Sequence, residues 1–169
     1  MTHPVLRLLK HRRFDEADAM RMVGADAMQR IQSRVAASET HHSGEIRVCV
    51  EAGLPWSYLR RHATPRERAI AMFGKLRVWD TEHNNGVLIY LLLAEHAIEV
   101  VADRGLSRHV DADQWRAITA TMAAAFAGGR FEAGLNQAID AVDELLRLHF
   151  PLAPGELNPN ELPDQPDVR

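Results

Sequence analysis

The sequence predicts an α/β domain, a three-layer α/β/α sandwich around a small mixed sheet, in the order helix-strand-helix-strand-strand-helix-helix. Three observations lead there. The run Val87-Leu88-Ile89-Tyr90-Leu91-Leu92-Leu93 has no polar break, as befits a strand covered on both faces. Segments of helical periodicity precede, separate and follow the strand-like runs. The chain has 169 residues, 46% of them hydrophobic, which suits one domain of about 100–150 residues with short extensions.

Residues 1–13, MTHPVLRLLKHRR, form a basic segment with four Lys or Arg and no acid. Arg7 and Lys10 break its apolar stretch, and no small-residue cleavage site follows, so it does not read as a signal peptide. A frayed start on a cytoplasmic protein is the plain expectation, and a basic arm on anionic lipid the sharper one. Residues 14–150 form the expected domain. Met20, Val23, Ala27, Ile31 and Val35 recur at helical spacing and predict one helix over Phe14–Ala37. After His41-His42-Ser43-Gly44 the period changes. Ile46, Val48 and Val50 alternate with Glu45, Arg47 and Glu51, the signature of a strand with one buried face.

Trp56–His62 suggests a short helical turn. Thr64-Pro65-Arg66-Glu67 then opens a helix, with Thr64 as cap, Pro65 at the first turn and Glu67 reaching back. Ile70, Phe73 and Leu76 carry it toward Trp79. Asn84-Asn85-Gly86 is turn chemistry before the apolar strand. Ile98–Ala102 follows too closely for anything but a hairpin. Trp115, Ile118, Met122 and Phe126 mark the next helix, and Leu135, Ile139, Val142 and Leu146 the last, with Gly128-Gly129 between them and Pro151 as the stop. Residues 151–169 hold five of the eight prolines and predict an extended or disordered tail.

Composition narrows the function. A net charge of −3 gives no basic surface for nucleic acid. The longest apolar run falls far short of the ~20 residues of a membrane span. Cys49 has no partner for a disulfide, and its apolar neighbours make it a poor nucleophile. No Walker-type loop, nucleophile elbow, CxxC or HExxH is present.

Four pieces in order resemble one family: Gly44-Glu45-Ile46-Arg47-Val48, then Asn85-Gly86-Val87-Leu88-Ile89, then Val101-Ala102-Asp103-Arg104-Gly105-Leu106, then Phe126 with Gly129-Arg130-Phe131 and Gly134-Leu135. In this order and spacing the chain resembles the TPM domain family, also called the TPM phosphatase family, over residues 14–150. The resemblance implies a sheet with helices on both faces, a divalent-metal site and, for some members, acid phosphatase activity; other members look like interaction modules. An Asp commonly precedes Asn-Gly-Val in the family, where this chain has Asn84, and a neutral amide holds a cation less tightly than a carboxylate.

Strand direction supplies an independent expectation. If the first and central strands run parallel, His41-His42-Ser43, His83-Asn84-Asn85 and Asp103-Arg104-Gly105 converge at one edge of the sheet, where α/β folds place function. Two readings stay open. In one, a hard cation, calcium or magnesium, sits among Asp103, Asp111, Asp113 and Asn84 and activates a water against a phosphoryl group. In the other, the domain is a non-catalytic module whose edge loops or tail recognise a partner protein. Each residue also has a plain role: Asn84-Asn85-Gly86 as a turn, Asp103 as a strand end, Asp111 as a helix cap with Gln114, Asp113 against the helix dipole, and His41-His42 as solvent-facing loop residues.

Overall fold

The computed structural model describes residues 4–13 and 15–169. Its elements are α1 (Pro4–Arg12), α2 (Glu16–Val23), α3 (Ala25–Ser38), β1 (Glu45–Glu51), α4 (Trp56–Arg60), α5 (Pro65–Lys75), β2 (Gly86–Leu92), β3 (Ala97–Ala102), α6 (Arg104–Ser107), α7 (Ala112–Ala127), α8 (Phe131–His149) and β4 (Asp167–Val168). The sheet order is β3-β2-β1-β4. β1 and β2 run parallel from Glu45↔Gly86 to Glu51↔Leu92. β2 and β3 are antiparallel, with Val87 opposite Ala102. The mixed sheet and its hairpin are as the sequence predicts.

Both faces of β2 are closed. Val87, Ile89 and Leu91 pack with Ile46, Val48 and Val50 against Ile31 and Val35 of α3, Met122 and Phe126 of α7, and Leu135, Ile139 and Val142 of α8. Leu88, Tyr90 and Leu92 face the other way, onto Ala69 and Met72 of α5, with Val78 and Leu54. Each large side chain so buried stabilises the fold by about 1.5–3 kcal/mol over leaving it exposed. The start of α5 follows its local code: Thr64 accepts from Glu67 N and Glu67 accepts from Thr64 N. α7 begins the same way at Asp111 and Gln114.

Five departures from expectation lie in the elements of the fold. The first long helix is two helices, because Gly24 takes φ +88° between them, a conformation that breaks helical hydrogen bonding and suits glycine; Phe14 lies outside the described residues. The basic segment is not a frayed end: α1 docks through Arg7, which donates to Glu95 Oε1 at 2.6 Å and to Ala63 O at 2.7 Å. Ile70, expected on the buried stripe of α5, is 52% exposed, and Ala69 and Met72 fill that place. β1 is buried on both faces, because its charged side chains have partners. Glu51 is forked by Arg68 of α5 at 2.6–3.2 Å and accepts from the Tyr90 hydroxyl at 2.6 Å.

The fifth departure is the C-terminal segment. It is extended, but it lies along β1 and ends as β4, parallel to β1 through Cys49↔Asp167 and Val50↔Val168. An uncovered edge strand would leave its N–H and C=O groups and the Glu45 and Arg47 side chains without partners. The tail supplies them. Leu162 N donates to Glu45 Oε2 at 3.0 Å, Arg47 donates to the carbonyl oxygens of Pro163 and Gln165, and Arg169 N donates to Val50 O at 2.9 Å.

Candidate functional site

Parallel pairing of β1 and β2 brings the three expected loops together. Asn85 is fully buried and donates from Nδ2 to Ser43 O at 3.0 Å, which ties the start of β2 to the start of β1. Asn84, at φ +52°, turns the chain. Its carbonyl accepts from Gly105 N at 2.8 Å and its Oδ1 accepts from Arg104 Nε at 3.0 Å, so the end of β3 closes on the same corner. The approach requires glycine at 105: a Cβ there would lie 2.4 Å from Asn84 O and 2.7 Å from His83 O.

The four expected metal ligands separate into a corner pair and a helix start. Asp103 and Asn84 meet at the corner through Arg104. Asp103 Oδ1 accepts from Arg104 N at 2.7 Å, and its Oδ2 is buried without a partner. Asp111 accepts from Asp113 N at 2.9 Å and from Gln114 N at 2.8 Å, which caps α7. Asp113, exposed in the first turn, pairs with Arg116. Among the described residues no three His, Cys, Asp or Glu side chains gather into a group able to hold a metal ion. The donor chemistry agrees: calcium takes six to eight oxygens. At the corner a single carboxylate oxygen is unpaired, and the Asn84 oxygen already faces a guanidinium.

Sequence reading placed His41 and His42 in solvent, and His42 is instead fully buried. Its Nδ1 donates to Gly44 O at 3.0 Å, and its Nε2 lies 3.1 Å from Ser38 Oγ. The Ser38 hydroxyl donates to Asp143 Oδ1 at 3.0 Å, and Arg147 Nε holds the other carboxylate oxygen at 3.0 Å. Burial pushes His42 down to about 4, against the pull of Asp143. A serine, a histidine and an aspartate thus meet without the order that activates a nucleophile. In a hydrolase triad the carboxylate holds the far ring nitrogen and the serine faces substrate. Here a backbone carbonyl holds that nitrogen, the carboxylate takes the serine proton, and Ser38 is buried. The trio staples α3 to α8. Cys49 is likewise unfit as a nucleophile, because burial raises its thiol well above the usual range.

A second polar cluster, which the sequence reading missed, lies under the tail. Glu39 ends α3, is 5% exposed, and accepts from Ile46 N at 2.7 Å through Oε1; its Oε2 is buried without a partner. Glu45 Oε1 and Asn158 Oδ1 are in the same condition. A cavity of about 220 Å³ is lined by Glu39, Asn158, Asn160 and Asp164. Burial, with the neighbouring Glu45 and Asp164 carboxylates, pushes Glu39 up to about 9. The only signal in the sequence was an acidic residue at the end of a helix, six residues before another at the start of a strand.

No helix among the described residues is long and apolar enough to cross a membrane. Comparison with curated proteins gives no match. Among solved structures, the chain is similar to the NMR structure of the BA42 protein from the psychrophilic bacterium Bizionia argentinensis. The TM-score is 0.73 at 26% sequence identity, over 85% of this chain and 92% of that one. A family model described as the TPM domain matches residues 17–145, a span that takes in the convergent loops, the Ser38–His42–Asp143 staple and both sheet faces, and the chain therefore belongs to the TPM domain family.

Proposed function

We propose that this TPM domain is a non-catalytic protein-interaction module. One observation carries the reading: most of the polar groups that converge at the loop corner are bound to one another and to backbone, with Asp103 Oδ2 and Asn85 Oδ1 the exceptions. Asn85 holds Ser43, Asn84 holds Gly105 and Arg104, and away from the corner Asp111 is spent in capping α7. A hydrolytic site needs a nucleophile or an activated water beside a free base, and the serine nearest a base, Ser38, is buried inside the fold. The test is calorimetric titration with calcium, magnesium and manganese, beside an assay of p-nitrophenyl phosphate hydrolysis at acid and neutral pH. The reading expects neither heat nor turnover.

A second reading, a metal-dependent phosphatase, is favoured by the unpaired Asp103 Oδ2. Binding heat with any of the three cations, together with turnover lost in Asp103→Ala, would establish it and overturn the first.

A further inference from the structure

α1 sits on the body with a polar stripe inward. Arg7 and His11 lie one helical turn apart and so share a face, and both turn to the fold. Arg7 donates to Glu95 Oε1 and to Ala63 O. The His11 side chain is 1% exposed; its Nε2 lies 2.8 Å from Glu95 Oε1, and its Nδ1 accepts from Leu54 N at 2.9 Å. The opposite stripe carries Leu6 and Leu9, which are 61% and 54% exposed. A surface helix ordinarily buries its leucines and leaves its charges in water. This one does the reverse, and the grip on Glu95 holds it that way round.

Cations border the outward leucines. Lys10, Arg12 and Arg13 are exposed. Of these and Arg7, only Arg7 is paired with a carboxylate among the described residues. The nearest acids in the chain, Asp15, Glu16 and Asp18, belong to the next helix and its cap, where Asp15 and Asp18 close the capping box and Arg21 pairs with Asp18. Residues 10–21 thus hold four Lys or Arg against three acids, with the excess on α1. What covers such a face must offer hydrocarbon and negative charge together. A helix of nine residues is about 13 Å long and about 10–12 Å wide. Its footprint is then on the order of 150 Å², whereas a standard protein interface takes about 800 Å² from each partner. A membrane sets no such minimum, because binding there sums the apolar groups buried and the attraction of each cation to anionic headgroups.

We propose that the outward stripe of α1 docks on an anionic membrane surface. Leu6 and Leu9 enter the boundary of the acyl chains, Lys10, Arg12 and Arg13 meet the lipid phosphates, and the helix lies in the plane of the surface. The face is remote in kind from the loop corner, so the inference needs neither reading of that corner.

Sedimentation of the full chain with vesicles tests it, with phosphatidylcholine alone and with equal parts phosphatidylcholine and phosphatidylglycerol. The chain should bind the mixed vesicles, and the neutral ones at least ~10-fold more weakly. Leu6→Ser with Leu9→Ser should lower the affinity at least ~10-fold. Lys10→Gln with Arg12→Gln and Arg13→Gln should lower it on the order of 100-fold, at about 5-fold for each charge. All five side chains are exposed, so both variants should melt with the wild type. A second measurement does not need those variants. A polarity-sensitive fluorophore on Leu9→Cys, with the native Cys49 buried, should shift to the blue when mixed vesicles are added. No binding to mixed vesicles, binding that both folded variants retain in full, or a label at position 9 that stays in water overturns the proposal. Self-association that is lost in the leucine variant, with no vesicle binding, gives the face to a second copy of the chain and overturns it likewise.

Discussion

Arg68→Met tests the reasoning about buried charge most severely. Arg68 and Glu51 have side chains 10% and 4% exposed, joined by a forked pair of hydrogen bonds, and the Tyr90 hydroxyl donates to the same carboxylate. The Arg68 guanidinium also lies 4.8 Å from the centre of the Tyr58 ring. Removing it strands Glu51 between sheet and helix with one neutral donor left. Breaking one side of a buried pair costs about 3–5 kcal/mol, whereas replacing both sides with apolar groups of like volume is often neutral. In a domain of this size each kcal/mol shifts the melting temperature by about 2–4 °C, so the single variant should melt about 6–20 °C lower. Arg68→Met with Glu51→Leu should recover most of that loss. The remainder belongs to the orphaned Tyr90 hydroxyl, about 1–3 kcal/mol, and adding Tyr90→Phe should remove it. Thermal and urea unfolding followed by circular dichroism across the set would decide. A loss under about 1 kcal/mol in Arg68→Met, or a triple variant as weak as the single, would refute the argument that pairing alone keeps β1 buried.

Three other variants probe separate features. Because Glu39 keeps its proton in the fold, its contribution to stability is complete below the ordinary value of 4.5 and is lost as pH rises through about 9. The wild-type melting temperature should therefore fall from pH 6 to 10, and that of Glu39→Gln should fall less; superimposable curves would mean that Glu39 ionises freely. Gly105→Ala drives a methyl group into the main chain at Asn84 and should lower stability by about 1–3 kcal/mol in urea unfolding; no loss would show that the corner gives way easily. Asp111→Ala should cost about 0.5–2 kcal/mol by removing the cap of α7, equally with and without calcium; a loss that appears only in calcium would return this carboxylate to the metal reading.

What the sequence disclosed was local chemistry and pattern. Thr64 with Glu67, and Asp111 with Gln114, announce helix starts because both partners sit within one turn. The unbroken run at Val87–Leu93 announces a covered strand because no other environment suits it. The parallel pairing of β1 and β2, inferred from the intervening helix, then predicted the meeting of three loops. What stayed hidden depends on partners distant in the chain. Arg47 grips main-chain oxygens 116 and 118 residues away, and a carbonyl leaves no mark in composition. A Pro-rich polar segment thus read as disorder although the body holds it. His42 looked solvent-bound because its partners, Ser38 and Asp143, converge only when α3 lies beside α8. The regular apolar spacing from Met20 to Val35 predicts one helix, and it runs unbroken across Gly24, where the chain divides into two.

The residues after β1 have a practical use. Leu54 N donates to His11 Nδ1 at 2.9 Å, and Ala52 N donates to Arg169 O at 2.7 Å. Two positions of one loop, 52 and 54, therefore receive the residue that follows β4 and α1 respectively. From His11 back to Pro4 the helix spans on the order of 10 Å, so a linker of a few residues could close this chain into a ring. New ends could then be opened in the exposed loop at Gly128-Gly129. β1 alone is roughly 23 Å long, so a closure at residues 52–54 stands a full strand away from the loop corner. A circular permutant built this way would let the corner be immobilised, labelled or screened with neither chain end nearby, and its melting temperature would report how much the fold relies on the order in which its layers are connected.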